Sequence, residues 1–370
     1  MKLPKVLALG ALVPFLLIAA CSSEMTPPAN GGTGGASGGS AGGAGGSGSG
    51  GQPGSGGSTG SGGSAVGSGG TPGTDASVDV STDASGDVGG AEVAPDASAS
   101  GVVVDPTTGN GKFEFNGPMA VPADAVLKPG VTAGMVQDIM VTGRVFPGSR
   151  PVHIYRPNGY VADTPVAFMV LFDNTDYIER FKIPTILDNY IAAKKLPMMV
   201  AIFISESGNR SVEYDSLNDA NLRFVTDDIL PEVEKLGIKL SLDPDASCVG
   251  GHSSGGIAAF TMGWLRPERF HRIISNSGSF TNIRGGNAYP MMVRSTPPKP
   301  LRVFMTAGTA DMPGWENASE QMHLAFMATS YQYRYIRMIG GTHNQLSPAT
   351  IMPENLLWLW KGFPISGATR

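Results

Sequence analysis

The residues best suited to chemistry are Gly251-His252-Ser253-Ser254-Gly255, a G-x-S-x-G arrangement that closes a short apolar run beginning at Cys248. The pattern is that of a nucleophile elbow, which lifts a serine out of a tight strand-to-helix turn. Glycines suit such a turn because a missing Cβ lets neighbouring backbone approach and opens backbone angles closed to other residues. The turn would expose the Ser253 hydroxyl and leave the Ser254 N–H free at a helix N-terminus, where negative charge is favoured. The chemistry implied is attack of a serine oxygen on a carbonyl.

The motif alone does not decide the matter, because the same pattern surrounds Ser37, Ser40 and Ser58 inside a Gly/Ser tract. Those matches follow from composition. Ser253 differs in its context: residues 246–249 suit a strand, and Ile257, Phe260, Thr261 and Trp264 recur at helical spacing after it.

A serine nucleophile needs a base, and the base needs a group to orient it. Of five histidines, His153 precedes the serine within a strand-like run, His252 is the variable position of the elbow, and His271 enters a strand. His323 falls within a helical pattern. His343 follows the last strand-like run in Gly340-Gly341-Thr342-His343-Asn344, where the chain order serine, acid, histidine places the base. Asp311 is the expected acid, reached from a strand that ends in a glycine turn at Gly308, with Glu316 as the alternative. Asp173 and Asp215 precede the serine and are weaker candidates. A second oxyanion donor, beside the Ser254 N–H, is expected near Asn174 in the loop Asp173–Tyr177. Tyr177, Arg210, Glu213, Tyr214, Arg284 and Trp315 are candidate pocket residues, each equally readable as structural.

These groups must be carried by a sheet. Strand-like runs occur at residues 136–141, 151–155, 166–172, 198–204, 246–249, 273–275, 301–305 and 333–338. Helical patterns occur at 183–193, 222–236, 255–265, 316–328 and 353–361, with Pro231 marking a break or kink in the second. Two early extended segments followed by alternating strand and helix predict an α/β fold, a mostly parallel sheet with helices on both faces. In such sheets ligands bind beyond the carboxyl ends of the strands, where Ser253 would sit.

The start of the chain has a different character. Lys2 and Lys5 precede an apolar stretch that ends in Leu17-Ile18-Ala19-Ala20-Cys21, which resembles a bacterial lipobox. That reading makes residues 1–20 a signal peptide and Cys21 a lipid attachment site, the alternative being an ordinary cleaved signal. Ser22 after the cysteine favours the outer membrane of a Gram-negative cell envelope. Residues 21–105 are rich in Gly, Ser and Ala, with no Lys or Arg between Lys5 and Lys112. Such a tract is expected to be a disordered tether with a span of about 50 Å. Eight of the acids fall there, so the domain at 106–370 is near neutral and has no basic run to suggest nucleic-acid binding. Cys248 sits in an apolar run and reads as a buried thiol. Nothing in the pattern calls for a metal or another cofactor.

From roughly Val136 to Lys361 the chain resembles the enterochelin-esterase and feruloyl-esterase-like branch of the α/β hydrolases, the esterase D group. The resemblance rests on Glu213-Tyr214-Asp215, on Ser253-Ser254-Gly255-Gly256 and on Gly278-Ser279-Phe280-Thr281-Asn282-Ile283-Arg284-Gly285-Gly286. Gly341-Thr342-His343-Asn344 and Leu357-Trp358-Leu359-Trp360 complete it. It implies the α/β-hydrolase fold, with Ser253 as nucleophile, His343 as base and Asp311 as acid. It also implies a small-molecule ester substrate, an acyl or feruloyl ester of a carbohydrate or a siderophore-type ester. Two departures stand out: the family usually has glycine where Asn174 stands, and the segment from Asp311 to Trp315 is shorter than in similar sequences. A surface binding protein that keeps the fold, and an acyltransferase using the same three residues, are the alternative readings.

Overall fold

The computed structural model describes residues 109–368. The expected signal peptide, Cys21 and the tract at 21–105 lie outside the described residues. Among the described residues nine strands form one sheet: β1 (Gly111–Phe115), β2 (Met135–Gly143), β3 (Gly148–Arg156), β4 (Ala167–Phe172), β5 (Met199–Ile204), β6 (Ser247–His252), β7 (Arg272–Asn276), β8 (Arg302–Ala310) and β9 (Gln332–Thr342). Their spatial order is β1-β9-β8-β7-β6-β4-β5-β3-β2. The β2–β3 and β3–β5 pairs are antiparallel and the others parallel.

Ten α-helices among the described residues accompany them: α1 (Thr175–Glu179), α2 (Ile183–Ala192), α3 (Arg210–Tyr214), α4 (Ala220–Arg223), α5 (Leu230–Glu234), α6 (Ser254–Leu265), α7 (Tyr289–Ser295), α8 (Trp315–Thr329), α9 (Leu346–Thr350) and α10 (Met352–Leu359). Every residue of β4, β5, β6 and β7 is buried, as expected for parallel strands covered on both faces. Strand alternation divides the apolar residues between two cores. Phe168, Val170 and Phe172 face Phe260 and Trp264 of α6, while Ala167, Met169 and Leu171 join Ile186 of α2 and Leu356 of α10. None of the helices among the described residues is long and apolar enough to cross a membrane.

The structure departs from the sequence expectation at several places, among them short helices α1, α3, α7 and α9 outside the expected helical patterns. Strand β1 was not among the expected runs, so the elbow follows the sixth strand. β6 continues through the elbow glycines to His252, and β8 continues through Gly308 to Ala310. Asp311 is therefore delivered by the strand end itself; Gly308 is needed inside the strand, where a Cβ would lie 2.1 Å from the Gly341 carbonyl oxygen. The pattern at 222–236 is not one helix. Pro231 lacks the N–H that would bond the residue 227 carbonyl, and the backbone widens into a π-helix at Phe224–Ile229 before α5.

Candidate active site

Ser253 joins β6 to α6 with φ 59° and ψ −121°, a conformation costly for a residue with a Cβ. The neighbouring glycines are not at positive φ; the unusual angle falls on the serine itself. Their role is close approach. A Cβ on Gly251 would meet the Gly255 carbonyl at 2.2 Å, and one on Gly255 would meet the Asp173 carboxylate at 2.2 Å. The turn is held by its own main chain. The Ser253 N–H donates to the Asn276 carbonyl at 2.9 Å, and the Ser253 carbonyl accepts from Gly256, Ile257 and Ser279.

β8 and β9 run side by side, so residues just past their ends meet. His343 Nδ1 lies 2.5 Å from Asp311 Oδ1, and His343 Nε2 lies 2.9 Å from Ser253 Oγ. An ionised carboxylate can accept but not donate, so Nδ1 carries the proton and Nε2 accepts from the serine hydroxyl. The Asp311 side chain is 1 % exposed, and that of His343 is 19 % exposed. Burial raises the Asp311 carboxyl, but hydrogen bonds from His343 and the Met312 N–H outweigh it and hold the group below its usual range. His343 is also packed between two rings: His252 at 4.9 Å and Trp315, edge-on, at 5.4 Å. Burial lowers His252 to about 3, with His343 adding to the effect, so His252 is neutral.

Ser253 and His343 open into a cleft of about 470 Å³ lined also by Asp173, Asn174, Thr175, Asp176, Ser205, Glu206, Arg210, His252 and Gln345. Ser254 opens α6 and Thr175 opens α1, so both N–H groups belong to the first turn that a helix leaves unpaired. Asn174 caps α1 at φ 36°, and its side chain donates to Ser205 Oγ.

The other candidates fall out differently. Arg210 lines the cleft, but its guanidinium is engaged by Asp173 and the His252 carbonyl. Trp315 reaches the His343 ring without lining the cleft. Glu213 is buried in an ion pair with Arg150, and Tyr214 is buried against Phe172. Tyr177 is buried, stacks on Phe181 and accepts from Asn276. Arg284 is exposed and donates to Ser211. These four do not line the cleft. Glu316, the alternative acid, accepts from Arg337 at 2.6 Å instead of from His343. Sequence reasoning missed Ser205, Glu206 and Gln345, whose only signal is their place one to three residues past a strand end or the His343 loop. Cys248 is buried, and burial pushes its thiol up. Among the described residues no group of His, Cys, Asp and Glu could hold a metal ion.

Residues 144–347, more than half of the chain, match the model of the family described as "Putative esterase". The chain belongs to this esterase family. An iron(III) enterobactin esterase of Dickeya dadantii is 28% identical over 241 residues, which cover 57% of this chain and 52% of that protein. The chain thus spans about half the length of the curated relatives it matches. Among solved structures, the enterobactin esterase of Shigella flexneri superposes with a TM-score of 0.55 at 23% identity, covering 66% of this chain and 63% of that one. A feruloyl esterase module from Clostridium thermocellum gives 0.52 at 15% identity, covering 66% and 93%. At these identities the structural likeness speaks for the α/β-hydrolase fold.

Proposed function

We propose that this member of the esterase family is a serine-dependent carboxylic-ester hydrolase. The observation that carries the reading is the unbroken chain Asp311–His343–Ser253 at a strained turn that opens into a cleft. His343 takes the Ser253 proton as Oγ attacks the ester carbonyl, and Asp311 holds the ring in the required tautomer and stabilises the imidazolium. His343 then protonates the leaving alcohol and later activates the water that frees the acid from Ser253. The developing oxyanion is met by the N–H of Ser254 and by the N–H groups at Asn174 and Thr175, each such donor lowering the barrier by about 3 kcal/mol.

The cleft walls are polar, with carboxylates, amides and hydroxyls outnumbering apolar groups. That lining suits a hydroxylated ester, such as an acylated carbohydrate, better than a long-chain lipid ester. Turnover of acetylated and feruloylated sugars against p-nitrophenyl palmitate tests this; preference for the palmitate would contradict it. The lipobox-like Leu17–Cys21 supports a further proposal, that Cys21 carries a lipid and tethers the enzyme to the cell envelope. Loss of membrane association in Cys21→Ser is the expected result.

A further inference from the structure

Strand β4 stops pairing with β6 at Leu171 and Gly250. Two residues further on, His252 leads directly into Ser253, and its backbone on that side has no strand to pair with. Two side chains take the strand's place. Asp173 Oδ2 accepts from the His252 N–H at 2.9 Å, and Arg210 Nη2 donates to the His252 carbonyl at 3.0 Å. The two side chains are themselves joined, Arg210 Nη2 and Nε lying 2.5 and 3.1 Å from Asp173 Oδ1. Both polar groups of one peptide residue are thereby closed into a ring with an ion pair.

The ring also reaches the other half of the site. Asp173 sits at φ 68° and is followed by Asn174 at φ 36°, the two residues that turn the chain from β4 into α1. Consecutive residues at positive φ persist where surrounding contacts over-determine them. Here the Asp173 carboxylate is fixed by three donors, and its carbonyl accepts from the Asp176 N–H at 3.0 Å. The Asp173 side chain is 9 % exposed. Gly255, where a Cβ would collide with Asp173, leaves the carboxylate room against the first turn of α6.

We infer that Asp173 and Arg210 form a clamp that fixes the separation between the Ser253 elbow and the Asn174–Thr175 oxyanion loop. Arg210 is then a positioning residue and not a substrate contact. The inference rests on Ser253 being the nucleophile. Errors of about 1 Å in such a geometry cost on the order of a hundredfold in rate.

The test is the kinetics of wild type, Arg210→Met, Arg210→Ala, Asp173→Asn and the Asp173→Asn/Arg210→Met pair on p-nitrophenyl acetate. Fluorophosphonate labelling of Ser253 is followed in parallel. The clamp predicts kcat lower by about ten- to a hundredfold in each single variant with KM changed less than twofold. The double variant should be no worse than the poorer single, and millimolar guanidinium should restore part of the Arg210→Ala activity. A raised KM with kcat intact would make Arg210 a substrate contact and overturn the clamp. Wild-type kcat in Arg210→Met, or losses that multiply in the double variant, would overturn it too. If Asp173→Asn does not fold, guanidinium rescue of Arg210→Ala decides the question, and no rescue counts against the clamp. A wild-type protein with neither turnover nor labelling would instead bring down the nucleophile assignment beneath it.

Discussion

The rings of His252 and His343 lie 4.9 Å apart and tilted by 49°, and burial keeps the first of them uncharged. In the unfolded chain His252 takes up a proton near pH 6.5, in the folded chain near 3. Between those values the unfolded state binds more protons, so stability falls as the pH drops from 6.5 toward 3. At pH 5 this residue alone removes about 2 kcal/mol. Urea unfolding at pH 7 and pH 5 should therefore show a smaller acid loss in His252→Phe than in wild type. Equal losses would mean that the histidine is not held neutral.

Asp311 and Glu316 are separated by the kinetics of their amide variants. Asp311→Asn keeps the shape but lets Nδ1 accept instead of donate, which turns the His343 tautomer away from Ser253. Its kcat should fall by about 10³- to 10⁴-fold with little change in KM. Glu316→Gln, which disturbs an ion pair with Arg337, should stay within about twofold of wild type. The reverse ranking would reassign the acid.

That Ser253, His343 and Asp311 come together could be read from the chain because each stands at a strand end, and strand ends show in an apolar pattern. The glycine turn expected at Gly308 could not, since a glycine needed for a neighbouring strand looks the same as one needed for a bend. Whether Glu213 and Tyr214 line the cleft is hidden in the chain for a related reason. Their residue types suit a pocket, but the Arg150 that buries Glu213 lies on β3, 63 residues earlier. Strand β1 is five residues long with alternating burial, too short a signal to stand out beside the tract before it.

Charge in the cleft yields a specificity prediction. Asp173 is paired with Arg210 and Asp176 with Arg180, whereas Glu206 makes no ion pair among the described residues. Any charge on a bound ester lies within about a Debye length of it, ~10 Å at 0.1 M salt. At low salt, kcat/KM for acetylthiocholine should exceed that for S-acetyl thioglycolate by about tenfold. The gap should narrow in Glu206→Gln and in 0.5 M salt, by screening on the order of that expected at a ~4 Å Debye length. An unchanged gap would place the discrimination elsewhere.

Gly308 links stability to geometry. In Gly308→Ala the new Cβ presses on the Gly341 carbonyl oxygen, forcing β8 from β9 where Asp311 and His343 emerge. Overpacking of this kind costs about 1–3 kcal/mol, read as a lower midpoint in urea. Activity per folded molecule should fall as well, and a drop in stability with activity untouched would show that the two strand ends move independently.

The proposed function stands on Ser253 being an activated nucleophile. The direct measurement is peptide mapping of the purified protein after reaction with a fluorophosphonate, with Ser253→Ala and His343→Ala run beside it. A single adduct on Ser253 is expected, with none in Ser253→Ala together with loss of turnover, and labelling slowed by orders of magnitude in His343→Ala. Wild-type turnover in Ser253→Ala, or an adduct on another residue with Ser253 untouched, would contradict it.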